Sequence, residues 1–429
     1  MIQKNQPKII NAWCMYDWAN SVHNLVITTA IFPIYFKSVT ENPATNDAVN
    51  FLGFSVNNDS LYSYTIAAAQ FFLVLINPIS TALADNSGRR KFFMKLFCYL
   101  GAASCAYFYF FDKDSITSVV FAFAFSIVGW GGSLVYYNSF LPDIATEDRF
   151  DAISAKGFIF GYIGSVLLLI LNLMMVQKPE LFGIPNKVVG TQISFLTVGI
   201  WWALFAQIPF YYLPKDERKP LSINIFGSGI KELKRIINKL RNYDLLKKFF
   251  LAFFIYDMGV MTVIYVATFF ADKELKIPTS GLIITLLLIQ LVAIPGAYLA
   301  SWLSSKFGNT IALRVEVFIW ALVPIAAYFT TKPMEFYIIA GVVGLVMGGI
   351  QSLSRSTYAK LIPEDSEDNA KYFGIYDILE KLATSIGSLL FGLTSQLTGS
   401  MRNSILVLIV LFVCGFLLLM RIPSKKVYH

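Results

Sequence analysis

The chain is 429 residues long, 56% hydrophobic and 14% charged, with a mean hydropathy of +0.60. Soluble domains carry about 25% charged residues, so the composition excludes a water-soluble enzyme or nucleic-acid-binding module and points to a protein embedded in lipid. The net charge of +8 does not argue for a nucleic-acid partner, because most Lys and Arg fall in or beside loops on one side of the apolar segments. That bias holds positive loops in the cytoplasm, so both termini are expected there, with the protein multi-pass in the cell membrane.

Twelve segments are long enough to cross a ~30 Å hydrocarbon core as helices. The first, 11–36, reads NAWCMYDWANSVHNLVITTAIFPIYF. It is too long and too polar for a signal peptide and is expected to stay in the protein. At roughly 100° per residue, Trp13, Asp17, Asn20, Ser21, Asn24 and Thr28 share one face, with His23 about 120° away. Lipid penalises such a row, so it is expected to look onto a cavity within the protein. The second span, 60–84, ends at DNSGRRK, a turn too charged to stay in lipid, and the third follows at 91–111. Spans four to six are placed at 115–141, 152–177 and 191–213.

Residues 214–247 form a basic linker in which Leu233, Ile236, Ile237, Leu240 and Tyr243 recur at helical spacing among Lys and Arg. This predicts an amphipathic helix lying on the cytoplasmic membrane surface. Spans seven to twelve are placed at 248–271, 278–304, 310–330, 334–361, 371–397 and 402–421. Cys14, Cys98, Cys105 and Cys414 all fall inside spans and lack the paired spacing of a disulfide or metal site.

The linker separates residues 1–213 from 248–429, and the two parts echo each other. MYDWAN opens span one and IYDMGV opens span seven. Spans two and eight end in NPISTALADNSGRRK and IPGAYLASWLSSKFGNT, and spans four and ten in SFLPDIATED and AKLIPEDSED. Spans five and eleven both contain IGS, at 163–165 and 386–388. Four matches in one order indicate a parallel duplication, the six-plus-six plan of many secondary transporters, with a substrate site between the halves.

These residues carry a resemblance. The turn after span two is similar to the Gly-x-x-x-Asp-x-x-Gly-Arg-Arg/Lys motif of the major facilitator superfamily through Asp85, Gly88, Arg89, Arg90 and Lys91, with Thr81 where the motif has its first Gly. YDWANS and IFPIYF in span one, with GGIQSLSRSTYAKLIP in span ten, resemble the vacuole-effluxer-like branch of that superfamily. The resemblance implies an all-α integral membrane protein of twelve transmembrane helices in two six-helix pseudo-repeat bundles, working by alternating access. The vacuolar relatives imply efflux of amino acids.

Charges inside spans cost about 2.5–3.5 kcal/mol each at the bilayer centre, so they face water or a partner. The candidate solute-binding residues are Asp17, Asn20 and Asn24 in span one, Asn138 in span four, Asp257 in span seven, Gln351 and Arg355 in span ten, and Glu380 and Lys381 in span eleven. Asp377 and Lys381, four apart, are expected to pair within their helix and leave Glu380 the freer carboxylate. Arg355 suits a bidentate grip on a carboxylate or phosphate, or else anchors the end of its span. Asp17 and Asp257 line a cavity or snorkel to the interface; His23 relays a proton or is satisfied by a neighbouring helix. Asp85, Gly88, Arg89 and Arg90 latch the cytoplasmic faces of the halves, or simply form a charged turn. The glycine runs GWGGS and GLVMGG let helices approach closely.

The sequence has no phosphate-binding loop, no His/Cys ligand cluster and no Gly-x-Ser-x-Gly, so no catalytic residue, metal or cofactor is expected; a proton or sodium gradient is the energy source open to such a chain. The expected function is secondary transport of a small polar solute. The alternatives are a proton-coupled exporter of drugs or sugars, and a polytopic membrane enzyme or scaffold that transports nothing. The expected partners are the solute and the lipid bilayer, with no nucleic acid, and the protein is expected to be a monomer.

Overall fold

The computed structural model describes residues 3–42, 47–217, 243–362, 369–398 and 400–424. The predicted amphipathic helix around Leu233 to Leu240 lies outside them. The first span is longer than predicted and is not one regular helix. It runs as α1 (Pro7–Val22), a π-helical stretch (His23–Ala30) and α2 (Ile31–Thr40). A short antiparallel hairpin of β1 (Ala48–Phe51) and β2 (Phe54–Asn57) follows, turning at Leu52 and Gly53, both at positive φ. Strands of four residues are too short to leave a readable alternation, and the sequence did not predict them.

The remaining helices of the first half are α3 (Asn58–Ser87), α4 (Arg90–Tyr107), α5 (Ile116–Ser139), the short α6 (Leu141–Ile144), α7 (Phe150–Gln177), α8 (Lys187–Phe205) and α9 (Gln207–Tyr212). The second half comprises α10 (Asp244–Leu275), α11 (Thr279–Phe307), α12 (Asn309–Phe329), α13 (Pro333–Leu361), α14 (Asn369–Thr398) and α15 (Met401–Met420). Polar groups close several helix ends as their sequence allows. Asn186 accepts from Val189 N at 3.0 Å at the start of α8, and Glu335 accepts from Thr331 N and Lys332 N at 3.0 and 3.1 Å at the start of α13.

Among the described residues, eleven helical segments are long and apolar enough to cross a bilayer. The predicted eleventh span is α14, an unbroken helix of 30 residues. Lys371, Asp377, Glu380 and Lys381 in its first half set it apart by charge rather than by length. The exposed surface suits lipid: Phe71, Phe72 and Leu75 of α3 and Leu406, Val410 and Leu417 of α15 point outward, while Asp17, Asn20, Asn77, Asp257 and Glu316 are buried.

The chain divides into two compact units: Pro7–Phe140 with Phe160–Ser222, and Ile223–His429 with Leu141–Ile159 and Met1–Gln6. The duplicated motifs make equivalent contacts inside each unit. Gly164 of the first IGS packs on α1 so tightly that a β-carbon there would lie 2.8 Å from the Trp18 carbonyl oxygen. Gly387 of the second IGS packs on α10, where a β-carbon would lie 2.5 Å from the Met258 carbonyl oxygen. Trp18 and Met258 are the residues that follow the duplicated Asp17 and Asp257. Small residues are what lets helix backbones meet in lipid, where no hydrophobic force pushes helices together. GWGGS and GLVMGG behave alike: Gly129 abuts Gly101 of α4, and Gly348 abuts Ala293 of α11. The turns after spans two and eight both rely on a glycine in the left-handed region, Gly88 at φ 64° and Gly308 at φ 87°.

Gly387→Ala is therefore expected to cost about 1–3 kcal/mol through overpacking, read as a lower Tm of the detergent-purified protein. Gly392→Ala, on the same helix but with nothing within 4 Å, is expected to leave Tm unchanged. Equal melting of the two variants would show that α14 is not seated on α10 at Gly387.

Candidate functional site

In α1 the polar row meets its own bundle first. Asp17 is 5% exposed, and its Oδ2 accepts from the Tyr137 hydroxyl of α5 at 2.7 Å. Trp13 holds that tyrosine from the other side, stacking on its ring at 4.4 Å and donating from Nε1 to its carbonyl at 2.9 Å. Asn20 is 2% exposed, with Nδ2 making no hydrogen bond. His23 is buried, with Nε2 3.0 Å from Ser126 Oγ and its ring stacked on Trp130, and its Nδ1 makes no hydrogen bond.

Beyond Val22 the 100° wheel no longer applies. The π stretch has wider turns, which rotate successive side chains by less than an α-helix does and bring Asn24 and Thr28 toward the Asn20 side of the row. Thr29 Oγ1 donates to the Asn24 and Leu25 carbonyls at 3.0 and 2.8 Å, and Tyr62 of α3 donates to the Thr28 carbonyl at 2.9 Å. Asn24 and Thr28 are half-buried. The run Val26-Ile27-Thr28-Thr29 is the sequence signal available here, since β-branched residues crowd a regular helix.

The other unit carries the matching positions with a different outcome. Tyr16 lies beside Ser133, and Tyr256 lies 2.8 Å from Ser354 Oγ; both serines stand nine residues before the proline of LPD or IPED. Tyr358 is the counterpart of Tyr137, five residues before that proline. Its hydroxyl donates to the Tyr372 carbonyl at 2.6 Å instead of to the aspartate. Asp257, 5% exposed, keeps a buried Oδ2 with no hydrogen bond.

Asp257 sits within electrostatic reach of Glu380 and Lys381 of α14. Lys381 Nζ is 3.7 Å from Asp377 Oδ1 and 3.7 Å from Glu380 Oε1. The pairing expected to release Glu380 is thus shared, because a lysine head on four methylenes reaches both neighbours equally. Lys381 thus faces three carboxylates, Asp377, Glu380 and Asp257.

Arg355 of α13 is 3% exposed and bonds the start of α7: Nε to Ser154 Oγ at 2.9 Å, Nη2 to Ser154 O at 2.8 Å, and the guanidinium over the Phe158 ring at 4.3 Å. Three residues before Ser154, Asp151 accepts from Ser304 Oγ (2.6 Å), Asn309 Nδ2 (2.7 Å) and Lys360 Nζ (2.7 Å). Spacings of three and four put Asp151, Ser154 and Phe158 on one helix face. Asp151, Ser304, Asn309 and Lys360 escaped the sequence reading. The available signal was Asn309 after Gly308, where the first copy of the turn has Arg89 after Gly88.

Arg90 Nε is 3.8 Å from Asp85 Oδ1, and its Nη1 donates to the Ser139 carbonyl at 3.3 Å. Asp216, also unpredicted, accepts from Lys91 N and Phe92 N at 2.8 and 3.0 Å, an anion on the N-terminus of α4. Lys91 Nζ answers by donating to the Phe210 and Leu213 carbonyls at the end of α9 at 2.9 and 2.5 Å. Asn138 and Gln351 are half-buried, on α5 and α13. The structure therefore groups Asp257, Glu380 and Lys381, places Arg355 with Ser154, and pairs Asp17 with Tyr137.

Comparison with known proteins agrees with this architecture. The family described as vacuole effluxer Atg22 like matches residues 5–428. The uncharacterized MFS-type transporter YxiO of Bacillus subtilis (strain 168) is 34% identical, over 99% of this chain and 97% of its own length. Autophagy-related protein 22-1 of Aspergillus terreus is 25% identical, over 89% of this chain and 78% of its own. Among solved structures, the major facilitator superfamily transporter FucP in the outward conformation has a TM-score of 0.70 at 14% identity, covering 98% of this chain and 99% of that one. The proton:xylose symporter XylE has a TM-score of 0.72 at 14% identity, covering 98% and 96%. At such identities the likeness establishes the fold, an all-α membrane fold of the major facilitator type. With a family match along nearly its whole length and a relative above 30% identity, the chain belongs to the vacuole effluxer Atg22-like family and is a multi-pass membrane transporter, not an enzyme.

Proposed function

We propose that the chain exports a small polar solute bearing a protonated amine, an amino acid in the simplest case, across the cell membrane, with the Asp85–Arg90 turn and both termini in the cytoplasm. One observation carries this reading: Asp257 keeps a buried oxygen without a hydrogen bond, beside a lysine already shared by Asp377 and Glu380. Lys381 answers three carboxylates at once, and Asp257 Oδ2 is left without a hydrogen bond. An ammonium group, with three donors, supplies both the charge and the missing hydrogen bond. Lys381 is the nearest cation for the carboxylate of such a solute, since Arg355 is bonded to Ser154. The family's descriptive name, vacuole effluxer, supports export.

Asp151 with Ser304, Asn309 and Lys360 suits a latch that holds the start of α7 in one state of the transport cycle, alongside the Asp85, Gly88, Arg89 and Arg90 turn. Buried and hydrogen-bonded on several sides, the Asp151–Lys360 pair is costly to break from one side, about 3–5 kcal/mol.

A second reading is favoured by an apolar cavity of about 60 Å³ lined by Val263, Phe270, Val323, Phe336, Phe391 and Leu408. It suits an exporter of apolar drugs. A thermal-shift screen separates the two, because a ligand of the folded state raises Tm: amino acids stabilise under the first reading and uncharged apolar drugs under the second.

In proteoliposomes, Asp257→Asn is expected to weaken apparent affinity for the amine solute by about 10- to 100-fold, the worth of a charge-assisted hydrogen bond, with insertion intact. Asp17→Asn, which retains an acceptor for Tyr137, is expected to lose less. Unchanged flux in Asp257→Asn would remove that residue from the site. For the latch, Asp151→Asn and Lys360→Met are each expected to lower Tm, and the double variant to lie above the sum of the two losses. Strict additivity would argue against a working pair.

A further inference from the structure

Glu316 of α12 is the buried carboxylate that none of these roles uses. It is 6% exposed, and its Oε2 makes no hydrogen bond. Its Oε1 fills the place on α13 where a side chain at position 349 would begin, a contact that only glycine permits, and Ala300 of α11 closes in on the same spot. One turn further along α12, Trp320 is fully buried and donates from Nε1 to the Val346 carbonyl of α13 at 3.3 Å. The acid is clamped where three helices meet.

The charged groups on the surrounding elements are engaged elsewhere. On α12 itself, Arg314 donates to the Leu419, Met420 and Ile422 carbonyls. On α11, Lys306 lies over the rings of Trp302 and Phe307. On α13, Arg355 bonds Ser154, and Lys360 bonds Asp151 and Asn309; Glu335, at the far end of α13, caps its own helix. On α15, Arg402 pairs with Glu274 at 3.6 Å, and Arg421 is exposed at the helix end. A carboxylate ion at position 316 would be desolvated with no counter-charge, the arrangement a buried ion tolerates least. The neutral acid fits the apolar contact.

We propose that Glu316 is a proton-binding site whose occupancy holds α12 against α13 at Gly349. Binding joins one proton to the carboxylate and yields the neutral acid; release leaves an ion that needs water, which enters only if the two helices part. The consequence reaches further along α13. The Gly349 carbonyl accepts from Ser352 Oγ at 3.0 Å, and the Ser352 carbonyl accepts from Ser154 Oγ at 2.8 Å. A proton on Glu316 thereby supports the grip of α13 on the start of α7, whatever the solute proves to be.

The test uses the full chain in lipid nanodiscs. Wild-type infrared difference spectra across an acid-to-alkaline step are expected to contain the carbonyl band of a protonated carboxylic acid that disappears in alkali. In Glu316→Gln, close in shape and always neutral, that component is lost, and the fall of Tm with rising pH flattens. An unchanged band, or identical pH profiles of Tm in the two proteins, overturns the proposal. A second pair of variants decides independently of the first. Gly349→Ala, which forces a methyl onto Oε1, is expected to lower Tm, and adding Glu316→Ala to recover part of the loss. Strictly additive losses would show that the two residues do not meet and would also overturn it.

Discussion

An acid buried in a membrane protein has to find a donor, a cation or a proton, because hydrocarbon provides none of them. The carboxylates on the membrane helices of this chain meet that requirement in different ways. Asp17 takes the hydroxyl of Tyr137, Asp151 takes Lys360 with two neutral donors, and Asp377 and Glu380 share Lys381. Asp257 is left with one oxygen without a hydrogen bond, and among the described residues Glu316 Oε2 likewise has none. The placement of helices, glycines and aromatic rings around these five solutions is what the rest of the structure supplies.

The duplication turns one plan into two environments. Each half sets a Tyr-Asp pair near the start of a helix and seats the glycine of an IGS run against the next carbonyl. Each half also brings a serine nine residues before a proline toward that tyrosine. The copies diverge at a single hydroxyl. Tyr137 points at its aspartate, whereas Tyr358 is drawn to a backbone carbonyl of α14. Backbone geometry is thus held in common while the electrostatics differ, so one copy has a satisfied carboxylate and the other a carboxylate able to accept a new donor.

The turns after spans two and eight show a comparable division of labour. In the first copy Asp85, Arg90 and Lys91 tie the turn to helix ends of its own unit, aided by Asp216. In the second copy Ser305, Asn309 and Thr310 stand where the first has Asp85, Arg89 and Arg90, and the remaining charge, Lys306, lies over the Trp302 and Phe307 rings. Ser304 and Asn309 act as neutral donors to Asp151, and Lys360 brings the cation from another helix. A glycine at positive φ stands in both turns, and the two turns carry different bonding schemes.

The sequence by itself determined the class, the spans, the family resemblance and the internal repeat. Apolar runs of membrane length have one low-energy form in lipid, a helix that satisfies its own backbone, and the charged turn at Asp85–Arg90 marks itself by type and spacing. What only the tertiary structure decided are the pairings and the local departures from regularity. Asp151 and Lys360 lie 209 residues apart, and no local pattern links them. Asn24 and Thr28 shift toward the Asn20 side of the row because the helix changes pitch at His23, which a wheel drawn at constant pitch cannot register. Tyr137 and Tyr358 look alike in sequence, and only the packing around each hydroxyl settles which one reaches a carboxylate. Helix formation in lipid is a local property of the chain, whereas the partner of a buried charge is set by whichever distant side chain the packed bundle brings within about 3 Å.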